Sequence, residues 1–359
     1  MLFPFDNKKD LLTICMMYYD AHVYGISYNR MKRYERDCCD DRAYNVLCAL
    51  FLERRHENNY VSLLENLVNS SQNIDEKCLL LSVLLVAYLN SDASDKYKCI
   101  VNNSDHEYYF EKYKNSNQYV YLLRNVSYYI ADFNRANKYY DQCLNAFKNR
   151  DPVNYKRTIS NYICYLMRHD VDLSGRLLKN RMQEVEEIIK YMDDKYLYLN
   201  INYGLYLMKY NLGDPTEYFS SIAYSSETTE TPFIYAQINL AAYTVKSNPE
   251  KALSIMNCIE YEVQKTTIPR TKQFYNINRC LIDYINGNYR EDLIQEIRNS
   301  PLRGNHDYGE FLYTYYKKRF DQKIPYSEHD WDKLFLPGYL FYRYFEAELL
   351  LAYSMESQI

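Results

Sequence analysis

Cysteine and histidine gather early in the chain. Cys38, Cys39, Cys48 and His56 fall within a stretch of 19 residues and are of the types that ligate zinc. Zinc sites use cysteines two to four positions apart, which brings two thiolates to one ion. Cys38 and Cys39 are adjacent and point different ways along a helix, so they read as separate thiols. A phosphate-cradling loop needs G-x-x-x-x-G-K-[ST]. The nearest run, Pro301-Leu302-Arg303-Gly304-Asn305, lacks the lysine and a flanking strand. Two basic runs remain: Arg30-Met31-Lys32-Arg33 with Arg36, and Lys317-Lys318-Arg319 beside Tyr313, Tyr315 and Tyr316. Basic groups next to aromatics can hold phosphates and stack bases, but the same run serves as a solvated helix face. No Ser-His-Asp or Cys-His pattern stands out, although such triads are spatial.

Three His-Asp dipeptides are present: His169-Asp170, His306-Asp307 and His329-Asp330. They resemble the metal-binding pair of the HD superfamily of helical phosphohydrolases, which implies a metal-dependent phosphohydrolase or nuclease as the alternative reading. That superfamily needs further His and Asp residues on a helical core. Each dipeptide here falls at a helix end or loop, where Asp caps and His complements a helix terminus. The Arg–His spacing of HEPN-type helical RNases is missing; Arg298 and His306 stand too far apart. The chain therefore reads as non-catalytic, with no metal and no cofactor.

The elements that would position a binding surface are helices. Glycine and proline number only 8 and 9 in 359 residues, which disfavours a turn-rich β protein. Tyrosine numbers 44. It buries a ring while keeping its hydroxyl wet, which suits half-buried grooves between helices. The net charge of −4 argues against a general nucleic-acid binder. Cys48, Cys78, Cys143, Cys164, Cys258 and Cys280 fall among apolar helix positions and read as buried hydrophobes in a reducing cytosol. Cys78 to Leu89 is the longest apolar run. It is shorter than the roughly 20 residues a membrane span requires, so it reads as a buried helix. With no basic leader and apolar core at the amino terminus, a cytoplasmic protein with no membrane association is expected.

The clearest pattern runs from Tyr119 to Pro152. Val120, Leu123, Val126 and Ile130 share one helical face, and so do Phe133, Ala136, Tyr140, Cys143, Leu144 and Phe147. Ala131-Asp132-Phe133-Asn134 is expected to turn between them, and Ala136 is small where the helices would cross. A second pair spans Phe233–Tyr243 and Pro249–Ile259, turning at Ser247-Asn248-Pro249-Glu250. A third spans Gln273–Ile285 and Tyr289–Ile297, turning at Asn286-Gly287-Asn288-Tyr289. Ala136, Ala252 and Asp292 mark the second helices. Asn90–Asp105 and Ser220–Thr231 read as loops, with an irregular connection beginning near Asp172 or Ser174. Asp75 is a candidate cap for the buried Cys78–Leu89 helix. After Pro337-Gly338 a final helix carries Leu340, Phe341, Tyr344, Phe345, Leu349 and Leu350 around most of its circumference.

Ala136, Tyr140 and Cys143, preceded by Asp132-Phe133, resemble the second helix of the tetratricopeptide repeat. Arg124 stands where that family prefers Gly or Ala, and Ser127 where it prefers an aromatic. The resemblance implies an all-α fold, an α-solenoid of antiparallel helical hairpins coiled into a TPR-like superhelix. It implies an amino-terminal helical region over residues 1–115, repeats over 116–300, and capping or docking helices over 301–359. Most of the chain is also similar to the sensor repeat region of bacterial STAND-type signal-transduction NTPases. The chain also resembles the repeat part of the peptide-sensing regulators of Firmicutes, although no good helix-turn-helix stands in the first 70 residues. In function the resemblance implies a scaffold whose concave face binds a protein or peptide. Asn125, Tyr128, Asn161, Tyr165, Asn202, Tyr206 and Asn239 are its groove candidates: Asn can satisfy an extended peptide backbone, and Tyr supplies contact area. Phe341, Tyr344 and Phe345 would dock the last helix on the preceding helices or on another surface, including that of a second copy.

Overall fold

The computed structural model describes residues 60–90, 94–102, 110–116, 118–127, 130, 132–168, 172–191, 197–210, 212–222, 230–245, 247–266 and 269–299. Those residues are all-helical, with no strand among them. Contacts divide the chain into two compact units, one formed by residues 1–165 with 225–229 and the other by 166–224 with 230–359.

The first unit contains α1 (Tyr60–Ser70), α2 (Ile74–Asn90), α3 (Ser94–Asn102), α4 (Tyr119–Ser127), α5 (Phe133–Phe147) and most of α6 (Pro152–Arg168). Helix α2 is its centre and packs on α1, α3 and α4. Cys78 through Leu85, with Ala87 and Tyr88, are buried on every side except at Val86, as the apolar run predicts. The cap of α2 is Asn73, not Asp75: Asn73 Oδ1 accepts the amides of Asp75 and Glu76 at 2.8 and 3.2 Å. Asp75 instead receives the Ser116 hydroxyl at 2.7 Å.

Helix α3 occupies part of the stretch expected to be a loop. Tyr97, Ile100 and Val101 are spaced as one helical face within polar sequence, and Tyr97 and Val101 are wholly buried. The Tyr97 hydroxyl reaches the Asn125 and Val126 carbonyls at 2.7 and 2.9 Å. Those carbonyls lie in the last turn of α4, which has no donor of its own for them. Helix α5 begins at Phe133, one residue after its cap: Asp132 Oδ1 accepts the Arg135 amide at 3.0 Å. Phe133 and Asn134, expected in the turn, are its first residues. Pro152 opens α6, where its missing N–H costs nothing, and Asp151 accepts the Asn154 amide at 3.0 Å.

The second unit contains α7 (Asp172–Tyr191), α8 (Leu197–Tyr210), α9 (Thr216–Ser220), α10 (Glu230–Thr244), α11 (Pro249–Lys265), α12 (Pro269–Ile285) and α13 (Glu291–Arg298), together with the end of α6. Helix α7 runs unbroken through Ser174-Gly175, where an irregular connection was expected. Asn248 caps α11 by accepting the Lys251 amide at 2.9 Å, and Pro249 is its first residue. The α12–α13 turn forms as the sequence predicts. Gly287 has φ +82°, and the Gly287 and Asn288 amides return to the carbonyls of Tyr284 and Asp283 at 3.0 and 2.8 Å. Asp292, the marker of the third pair, is exposed on α13, whereas Leu293 and Ile294 are buried.

Gly204 lets α8 and α9 approach closely. A Cβ there would lie 2.6 Å from the Phe219 ring, and Phe219 is wholly buried. In an open helix Gly→Ala would gain about 1 kcal/mol of propensity. Here overpacking opposes it at about 1–3 kcal/mol. Gly204→Ala is therefore expected to lower stability by about 1 kcal/mol, within roughly 0–2, measured by urea unfolding; a gain would show that the ring moves aside freely.

Candidate functional site

The two helices wholly in the second unit that carry groove candidates, α8 and α10, pack against each other, and α12 continues the row. Helix α8 packs on α10, and α10 on α12. Each also contacts the helix that follows it: α8 with α9, α10 with α11, α12 with α13. In the first unit α4 packs on both α2 and α5.

This arrangement gives the first helices wide buried arcs and moves most of the groove candidates inside. Asn202 and Asn239 are 0% exposed and Asn125 is 5% exposed. Asn125 Nδ2 donates to the Ser82 carbonyl and hydroxyl at 3.0 and 2.7 Å, fastening α4 to α2. Tyr165 is buried on α6, with its hydroxyl on the Ile130 carbonyl at 3.1 Å and its ring against Phe133 and Tyr140. Asn161 and Tyr206 are half-buried. Tyr128, Phe341, Tyr344 and Phe345 lie outside the described residues, as do the three His-Asp pairs, the Cys38–His56 cluster and both basic runs.

The positions nevertheless form a series. Asn125, Asn161, Asn202, Asn239 and Asn278 follow one another at intervals of 36 to 41 residues. Four of them have an aromatic residue four places earlier: Tyr121, Tyr198, Tyr235 and Phe274. Asn278 was missed by the sequence reading, and the aromatic-x-x-x-Asn signature finds it. In α10 and α12 the local structure repeats as well. Asn239 Nδ2 donates to the Tyr235 carbonyl at 2.9 Å, and Asn278 Nδ2 to the Phe274 carbonyl at 2.8 Å. The Tyr235 and Phe274 rings meet edge to face, centroids 5.7 Å apart. Oδ1 of both asparagines is buried with no hydrogen-bond partner among the described residues.

A buried amide oxygen left unpaired costs about 1–3 kcal/mol. Asn239→Leu, of similar volume, is expected to raise the unfolding midpoint in urea by an amount equivalent to about 1 kcal/mol. A loss of that size would mean the amide is satisfied and structural.

No family model, no curated protein and no solved structure matches this chain. The chemistry of the site rests on its own residues. Among the described residues no three of His, Cys, Asp and Glu come together as metal ligands, and no helix is long and apolar enough to cross a membrane. Cys78, Cys143, Cys164 and Cys280 are buried, whereas Cys258, expected inside, is exposed on α11. Burial pushes the Cys78 and Cys143 thiols up to about 12, so both remain protonated and poorly nucleophilic.

Helices α8 and α9 carry a cluster of tyrosines. Tyr203, Tyr206 and Tyr210 on α8 and Tyr218 on α9 touch in series. Tyr203–Tyr206, Tyr206–Tyr210 and Tyr203–Tyr218 have centroids 6.3, 5.2 and 4.7 Å apart, all tilted at 45–55°. Tyr203 is 7% exposed, and the other three are half-buried.

Proposed function

We propose that this chain is a non-catalytic scaffold whose stacked helical hairpins form an α-solenoid and bind a protein or peptide segment along their first helices. The observation that carries this reading is the packing order of the second unit. Helices α8, α10 and α12 are neighbours in sequence order, and each also packs on the helix that follows it. Repetition of that unit generates an extended row of first-helix faces, a surface shape suited to chain segments. The recurrence of Asn and its preceding aromatic at one repeat length supports the same reading. The likeness to sensor repeats of STAND-type NTPases belongs with it and makes the chain a sensing module that acts through a partner. Its last helix would then serve as a docking element for that partner or for a second copy.

The test is recovery of the tagged full-length chain from the cells that produce it, followed by measured binding of each co-purified protein in pure form. A partner that binds stoichiometrically supports the scaffold. The opposite outcome is metal-dependent phosphoester hydrolysis that disappears in His169→Ala, His306→Ala or His329→Ala, which would transfer the function to the His-Asp residues.

A further inference from the structure

Asn286 is the one asparagine in the chain that a glycine follows. That pairing is reactive. The backbone nitrogen of the following residue attacks the asparagine Cγ, and glycine, with no Cβ and a wide range of φ and ψ, hinders the approach least. The bonds balance with water as the only co-reactant. The Gly287 nitrogen loses its proton as it bonds to Cγ, the Cγ–Nδ2 bond breaks, and ammonia leaves. Water then opens the cyclic imide at either carbonyl, which gives aspartate or isoaspartate.

The fold holds both reacting groups. Asn286 is half-buried at the end of α12. Its Nδ2 donates to the Ile282 carbonyl at 2.7 Å and to the Pro249 carbonyl, on the first residue of α11, at 3.1 Å. The Gly287 amide, the nucleophile, is committed to the Tyr284 carbonyl at 3.0 Å, and the Asn288 amide closes the turn on the Asp283 carbonyl at 2.8 Å. Cyclisation therefore requires the turn to open. Gly287 and Asn288 are exposed, and an exposed turn at a helix end opens at far lower cost than a whole domain.

Conversion reverses the contact. A donor becomes an oxygen that faces two carbonyl oxygens. Its negative charge lies at the carboxyl end of α12, where the helix dipole disfavours it. Arg290, at the far side of the turn, is already engaged by Asp292 at 2.6 Å and Asp283 at 3.5 Å. Isoaspartate also adds a methylene to the main chain, and the Gly287 and Asn288 bonds depend on the spacing it changes.

We propose that Asn286 is a site of spontaneous deamidation, latched by the α12–α13 turn, and that its conversion releases the side-chain clip between α12 and α11. The proposal is independent of the scaffold reading. It makes this turn a place where a slow covalent change of a neutral amide into a carboxylate loosens the end of the helical row.

The experiment uses the full-length chain at mildly alkaline pH, with peptide mapping over time and a chemical assay for isoaspartate. In guanidinium above the unfolding transition, the Asn286 peptide is expected to convert ahead of every other asparagine peptide, and Gly287→Ala to abolish that lead. In native buffer the Asn286 conversion should be at least about tenfold slower than in the unfolded chain. A different asparagine leading in the unfolded chain overturns the site. Equal native and unfolded rates overturn the latch. The consequence is tested with Asn286→Asp, which has the structure of the aspartate product, beside Asn288→Asp, which adds the same charge two residues on. Asn286→Asp should speed hydrogen exchange of the Gly287 and Asn288 amides by about tenfold or more and lower the guanidinium midpoint more than Asn288→Asp does. Exchange and midpoint equal to those of the parent, or the same change in both variants, would overturn the release.

Discussion

Ala252→Glu is expected to unfold the unit that contains it, and Ala136→Glu to do the same in the other. Both alanines are 0% exposed, one turn into the second helix of a packed pair. Ala252 is buried on α11, which packs on α10 and α12, and Ala136 on α5, which packs on α4. Glutamate adds a methylene beyond Cβ and then a carboxylate. Forcing the extra volume into a close-packed crossing costs about 1–3 kcal/mol. The carboxyl then escapes its burial penalty only by taking up a proton, and the neutral acid still costs a few kcal/mol without a partner. The total, about 4 kcal/mol or more, approaches the lower end of the roughly 5–15 kcal/mol that stabilises a typical domain. Circular dichroism melting reads the effect. Ala136→Ser and Ala252→Ser, which add one small atom, should melt within a few degrees of the parent. A glutamate variant that melts like the parent would remove that alanine from its helix crossing.

The sequence spelled out these crossings because several local signals agree there. Asp132 and Asn248 are capping residues, Pro249 stands at a first helical position, and the apolar residues that come after each cap recur at helical spacing. Gly287 marks a turn that requires positive φ. Helix α3 was harder to read because its inner face is only three residues long in polar sequence, and the carbonyl that anchors the Tyr97 hydroxyl lies 28 residues away. The burial of the asparagines was illegible for a different reason. A polar residue opposite an apolar stripe is normally exposed, and the asparagines were read so. A helix packed on both a preceding and a following neighbour buries a much wider arc than one apolar stripe. In α10, Ile234, Tyr235, Ala236, Ile238, Asn239, Ala241 and Ala242 are all buried, an arc of well over half the circumference that reaches Asn239. Burial of Asn239 therefore results from α10 contacting α8, α11 and α12 at once, and single-helix periodicity contains none of that information. The spacing of the asparagines was in the sequence throughout, but its meaning depended on which helices are neighbours.

Asp283→Leu is the second substitution expected to have a large effect, because it would leave a buried cation behind. Arg279 and Asp283 sit one turn apart on α12 with side chains 9% and 4% exposed, and the Arg279 Nε donates to Asp283 Oδ2 at 2.7 Å. The pair belongs to a longer chain of contacts. Arg279 also donates to the Tyr275 hydroxyl at 3.2 Å, and that hydroxyl donates to the Met256 carbonyl of α11 at 3.3 Å. On the other side Arg290 lies 3.5 Å from Asp283 and holds Asp292 through two bonds of 2.9 and 2.6 Å. Burial alone would lower the Arg279 pKa, yet the bonds from Asp283 and Tyr275 raise it on balance. Removing the carboxylate strands that guanidinium, and the loss of one member of a buried ion pair typically costs about 3–5 kcal/mol. The reciprocal change should cost less. In Arg279→Met, Asp283 keeps Arg290 at 3.5 Å, close enough to share a charge. The double variant Arg279→Met/Asp283→Leu buries no charge at this position, and paired replacement of that kind is often close to neutral. The expected order of stability in urea is therefore parent near the double variant, then Arg279→Met, then Asp283→Leu. If Asp283→Leu instead fell within about 1 kcal/mol of the parent, as an exposed pair would, the α11–α12–α13 packing would not depend on this charge chain.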